Sequence, residues 1–218
     1  MTHHVASTLE TRLKISMTSP PERLTEKLAL LEAVLAYREG QLDAATAHPR
    51  IRILVDHLAK LDPPRTESER ADLLTANWKL LYTNRDSFSP LDRLPGVKQR
   101  QVWQRIDVPQ GLVLNLIELE IPGLFQAVAA IKARFEVISP KRLKVIFERA
   151  FVTTPGLLSG KNIADWLAQF SQQAHTPPAL SFSTQGQSGW LDIIYLDETL
   201  RIGLGNQGNL FILKRADG

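Results

Sequence analysis

Apolar positions recur at two different periods along the chain, and the change of period divides it. Between residues 19 and 64 the spacing is helical: Leu24, Leu28, Leu31 and Leu35 follow one another at intervals of three and four. Ahead of them, Ser19-Pro20-Pro21-Glu22 offers a capping serine, prolines suited to a first turn and a reciprocal glutamate, and Gly40 ends the run. A second helix is expected after Pro49, with Ile51, Leu54, Val55, Leu58 and Leu61 on one face and Asp62-Pro63-Pro64 as its stop.

From Asn77 the period drops to two and β-branched residues become frequent. WKLLYT, VWQRIDV, LVLNLIELEI, LKVIFERAFV, WLDIIYLD, TLRIGL and NLFILKR all predict strands, several of them apolar on both faces. NIADWLAQFSQQ interrupts them with Ile163, Trp166, Leu167 and Phe170 at helical spacing, which predicts one short helix. The first half of IPGLFQAVAAIKARF suits helix or loop. Helices followed by a run of strands predict an α+β fold, and about eight strands suffice to close an antiparallel β-barrel that leaves no free edge. The expected division is a disordered tail (1–18), an N-terminal helical region (19–64), a linker (65–76) and a barrel (77–218).

Composition narrows the chemistry. The 218 residues suit one sizeable domain with an appendage, or two small domains. The absence of cysteine removes disulfides, thiolate metal sites and cysteine nucleophiles. A net charge of +3 falls short of the concentrated basic stripe of a nucleic-acid binder. The local excess of Arg85, Arg93, Lys98, Arg100 and Arg105 over Asp86 and Asp92 suits a solvated face, or weak attraction to an anionic membrane surface. No apolar run approaches membrane-spanning length, and the polar opening residues lack the apolar core of a secretory signal.

The motifs that would signal catalysis fail on context. Gly203-Leu204-Gly205-Asn206-Gln207-Gly208 matches the dinucleotide fingerprint in letters, yet a strand follows at once where a helix is required, so a hairpin turn explains it better. Gly156–Lys161 resembles a phosphate loop one residue short. His3, His4, His48, His57 and His175 show no metal-ligand spacing, and no metal or other cofactor is expected.

Four segments resemble the plastid lipid-associated proteins, or fibrillins, in a cyanobacterial-type form. They are IRILVDHLAKLDPP (51–64), NWKLLYT (77–83), VWQRIDVPQGLVLN (102–115) and GWLDIIYLDETLRIGLGNQGNLFILKR (189–215). The last is similar to that family's long, ordered terminal block. The chain departs from it at Leu204, where the family has arginine, and Asn77 stands where the related lipocalin signature has glycine. The resemblance implies a lipocalin-like barrel preceded by helices. It also implies non-catalytic binding of lipids, prenylquinones or carotenoids, peripherally on the cytoplasmic face of thylakoid membranes or on lipid globules, or otherwise in cytoplasm or plastid stroma.

Alternation along each strand then predicts a lumen. With Trp78 inward, Leu80 and Tyr82 follow; the matching sets elsewhere are Gln104 and Ile106, Val113, Asn115 and Ile117, and Val145, Phe147 and Phe151. Leu191, Ile193 and Tyr195, with Phe211 and Leu213, complete the expected ligand-binding wall, and Arg215 is placed to stack on Trp78 and close the barrel. This mostly apolar stripe with a few polar groups suits a pocket for a greasy ligand, and equally a barrel filled by its own side chains. Three readings follow: a container, a filled barrel that docks a protein partner through its N-terminal helices, and an enzyme using Asp192, Asp197 and Arg201 at the barrel mouth.

Overall fold

The computed structural model describes residues 20–85, 96–121, 123, 125–160, 162–172, 178–184 and 186–216. The expected tail lies outside them. The chain forms two compact units divided after Pro63.

In the first unit, helix α1 (Pro20–Arg38) packs with helix α2 (Ala44–Lys60). The second helix begins before Pro49. Asp43 caps it, its carboxylate accepting the Thr46 N–H at 2.8 Å, and the Thr46 hydrogen bonds hold the Asp43 carboxyl below its ordinary pKa. Pro49 therefore sits inside the helix, where its missing N–H forfeits only the bond to Ala45. On α2 the buried face is Ala47, Ile51, Val55 and Leu58, with Leu54 and Leu61 part-buried. On α1 it is Leu30, Ala33 and Val34 that are buried, not the expected leucine row. Leu24, Leu28 and Leu35 are 56%, 57% and 54% exposed. Spacings of three and four occur on either of two neighbouring stripes, and the stripe containing the small Ala33 is the one that turns inward.

The second unit opens with helix α3 (Glu67–Leu74), within the segment read as a linker. A capping box starts it: the Thr66 N–H donates to Glu69 Oε2 at 2.8 Å, and the Glu69 N–H donates to Thr66 Oγ1 at 3.2 Å. Nine strands follow: β1 (Ala76–Thr83), β2 (Lys98–Asp107), β3 (Leu112–Ile121), β4 (Phe125–Val137), β5 (Arg142–Thr153), β6 (Leu180–Ser183), β7 (Ser188–Leu196), β8 (Leu200–Gly205) and β9 (Leu210–Arg215). Every pairing is antiparallel, in the order β4-β3-β2-β1-β9-β8-β7-β5, and the β4–β5 ladder closes the ring into a barrel. The short β6 pairs with the upper half of β5, and β7 pairs with its lower half.

The segment that suited helix or loop is β4, thirteen residues long. Its alanines suggest a helix in isolation, but here they are the small residues that pack between neighbouring strands: Ala129 and Ala133 face inward, and Ala130 faces outward. Helix α4 (Ile163–Ser171), capped by Asn162, supplies the outer cover. Its Leu167 and Phe170 bury Leu114, Leu116, Val128, Ala130 and Phe151 on the outside of the barrel. That cover is why LVLNLIELEI is apolar on both faces.

Four ladders slip by one residue, between Leu80 and Tyr82, Gln99 and Gln101, Lys132 and Ala133, and Ile193 and Tyr195. Each slip reverses which side chains point inward beyond it.

The β7–β8 turn is held by one carboxylate. Asp197 accepts from the Tyr195 hydroxyl at 2.7 Å and from the Thr199 and Leu200 N–H groups at 2.8 and 2.7 Å, and it is almost fully buried. Asp197→Ala strands these three donors. It is expected to lower unfolding stability by about 2–4 kcal/mol, measured as a shift of the urea midpoint at unchanged slope.

Candidate functional site

One end of the barrel is sealed. Trp78, with no exposed surface, donates its indole N–H to the Leu74 carbonyl at 3.1 Å and so ties the barrel wall to the end of α3. Arg70 of the same helix donates to the Ile193 carbonyl at 3.3 Å, and Arg215 donates to the Leu73 carbonyl. The guanidinium carbons of Arg201 and Arg215 each lie 5.1 Å from the Trp78 ring centroid, so the indole carries two cation–π contacts.

Above this floor lies an open cavity of about 900 Å³. Its apolar wall includes Leu80, Val113, Val145, Phe147, Phe211 and Leu213, together with Val102, Ile117, Ile131 and Leu191. Its polar groups at the deep end are Gln104, Asn115 and Arg201. Arg201 donates to Gln104 Oε1, and Gln104 Nε2 donates to Asn115 Oδ1 at 2.6 Å. Two turns frame the mouth: Thr184, Gly186 and Gln187 on one side, and Asn206, Gln207 and Asn209 on the other, with exposed Arg85 at the rim.

The alternation rule places the expected wall unevenly. Leu80, Gln104, Val113, Asn115, Val145, Phe147, Phe211 and Leu213 border the cavity. Trp78, Ile106 and Ile193 are buried inward-facing residues packed in the core without bordering it. Tyr82 and Tyr195 are turned to the outer face by the slips in β1 and β7, where they align with Ile212 and Ile202. Phe151 borders the cavity, yet the slip in β5 pairs it with Ala130 and sets its ring against Phe170 of α4, with centroids 5.5 Å apart.

Sequence reasoning left several residues of the wall unnamed, among them Val102 and Ile131 and, on β8, Arg201, Gly203 and Gly205. Gly203 and Gly205 leave it without side chains; a Cβ on Gly203 would stand 2.9 Å from Leu191 Cδ1. Arg201 shares their parity on β8, and that alternation was the signal available. The Gly203–Gly208 run is a β-hairpin: the Gly205 N–H donates to the Asn209 carbonyl at 2.8 Å, and Gly208 takes a φ of 74° that favours glycine.

Arg201 is 1% exposed, and burial lowers its pKa to about 9, which leaves it charged at neutral pH. Its Nε and Nη1 have no hydrogen-bond acceptor among the described residues.

The carboxylates expected to join Arg201 in acid–base chemistry sit in other networks. Asp197 is taken up by the β7–β8 turn, and Asp192 forms a bidentate pair with Arg142 at 2.6 and 2.7 Å. Among the described residues no group of three metal-ligating side chains gathers. The expected basic run is also dispersed: Arg100 pairs with Glu120 at 2.7 Å and Arg105 with Asp107 at 3.3 Å, while Arg93, Asp86 and Asp92 lie outside the described residues.

The PAP_fibrillin family model matches residues 24–214. Plastid lipid-associated protein 1 of Brassica campestris is 30% identical over 221 residues, covering 88% of this chain and 67% of its own. The plastid-lipid-associated protein of Citrus unshiu is 27% identical over 234 residues, covering 92% and 72%. The chromoplast-specific carotenoid-associated protein of Cucumis sativus is 27% identical over 221 residues, covering 89% and 68%. With helices leading into a closed antiparallel barrel, and with a family match that runs from α1 to β9, the chain belongs to the PAP/fibrillin family of plastid lipid-associated proteins.

Proposed function

We propose that the barrel is a non-catalytic container for one hydrophobic small molecule: a lipid, a prenylquinone or a carotenoid. The observation that carries this reading is the open, mostly apolar cavity of about 900 Å³, within the range of ligand sites. Burying a chain of a dozen methylenes there returns roughly 10 kcal/mol before the costs of association. The names of relatives that mention lipid and carotenoid association support the same class of ligand.

Loading takes place peripherally, at a membrane or lipid-globule surface. No helix among the described residues is long and apolar enough to cross a membrane. At the mouth, however, Leu180 and Phe182 of β6 are 70% and 55% exposed, an apolar lip suited to contact with lipid.

A second reading, a protein partner docked on the helical hairpin, draws support from the exposed Leu24, Leu28 and Leu35 of α1. Under it, Leu24→Glu together with Leu28→Glu abolishes co-purification of one defined partner from a photosynthetic host, and lipid uptake by the same protein is unchanged. A partner retained by this double variant removes the reading.

The container is tested by native mass spectrometry with lipid extraction on protein purified from a photosynthetic host. A stoichiometric prenyl lipid, quinone or carotenoid is expected. Phe147→Asp sets a carboxylate in the apolar wall and should weaken uptake more than about 100-fold. Gly203→Phe, which fills the lumen without adding charge, should do the same. A clean ligand-free mass, with no uptake of added lipids by the folded wild type, would refute the container.

A further inference from the structure

The deep end of the lumen is polar in one direction only. Arginine has no acceptor, so Gln104 must turn its Oε1 toward Arg201 and its Nε2 toward Asn115 Oδ1. Asn115 is then left presenting its Nδ2 amide to the cavity, and that nitrogen has no acceptor among the described residues. Behind it, Arg201 Nε and Nη1 are buried without partners among the described residues. The chain Arg201–Gln104–Asn115 thus offers hydrogen-bond donors and a positive charge, at the bottom of a pocket whose walls are otherwise apolar.

A buried charge with no counter-ion is costly, and its companion is commonly an anion. No carboxylate among the described residues fills that place, since Asp197 and Asp192 are engaged elsewhere.

We propose that this end of the lumen is a head-group site for a single-chain lipid carboxylate, held by Asn115 Nδ2 and the Arg201 guanidinium, with its hydrocarbon chain running toward the mouth. The proposal rests on the reading of the barrel as a container. Asn115 meets the head group first, and the guanidinium is reached when the Gln104 amide swings off it. A carboxylate matches the single buried charge. A neutral carbonyl would leave that charge uncompensated, and a phosphate would bring excess negative charge into an apolar wall. Asn115, Phe147, Phe211 and Phe182 all border the same cavity of about 900 Å³, the volume available to the chain.

The test is isothermal titration of the full chain with palmitate, hexadecanol and hexadecyl phosphate, which share a tail and differ in head group. Wild type should bind palmitate about 10–100-fold more tightly than hexadecanol. Arg201→Met should bring palmitate down to the affinity of hexadecanol, and Asn115→Leu should narrow the gap. If Arg201→Met does not fold, the wild-type comparison and Asn115→Leu decide the matter. Equal affinity for palmitate and hexadecanol overturns the head-group site and leaves the container standing. Tighter binding of hexadecyl phosphate overturns the choice of carboxylate. Binding of none of the three overturns the container reading and this site with it.

Discussion

The contact on which the lower barrel depends is the stacking of Trp78 beside two guanidinium groups. Its indole nitrogen is tied to the end of α3, Arg215 reaches the same helix end, and Arg201 reaches the lumen. Each cation alone would be an expensive group to bury, and an aromatic face offsets part of that cost. The outcome is a floor that is buried and positively charged. Everything above it is free to be hollow, because the ends of β1, β8 and β9 are already fixed from below.

That arrangement divides the second unit by what its residues omit. Gly203, Gly205 and Ala129 take up little of the lumen, where larger side chains would fill a small barrel. Packing forfeited inside is recovered outside, where α4 sets Leu167 and Phe170 against β3, β4 and β5. The strands that read as apolar on both faces are those with a cavity on one side and a helix on the other.

Most of the architecture was visible in the periodicities. Apart from α3, β4 and the short β6, the order of helices and strands follows from spacing and turn chemistry, as do the inserted helix and the hairpin nature of the glycine-rich run. What spacing does not contain is the single-residue slip. Trp78 and Leu80 obey the alternation; Tyr82 does not, because the ladder to β9 shifts between Leu80 and Tyr82. The slip before Tyr195 moves a second expected wall residue outward and places Leu196 beside Arg201 on the inward face. Slips of this kind are set by twist and closure, which depend on partners distant in sequence. The alanine-rich β4 was ambiguous for a related reason: local propensity favours a helix there, and only pairing with β3 and β5 overrides it.

The run from Gly203 to Leu210 shows how one stretch can serve fold and site together. Gly203 and Gly205 clear the lumen on the inward face of β8, and Leu204 between them is part-buried on the outer face. The turn that follows is pinned to β1, since Asn84 Oδ1 accepts the Leu210 N–H at 2.7 Å. One side of the mouth is therefore a hairpin anchored to the barrel wall. The other side is β6, four residues that pair, among the described residues, with β5 alone and carry exposed apolar side chains. Local stability follows backbone pairing and burial, so opening costs less on the β6 side. Under the proposed container, that asymmetry would give an entering ligand one yielding edge to pass and one fixed edge to pass against.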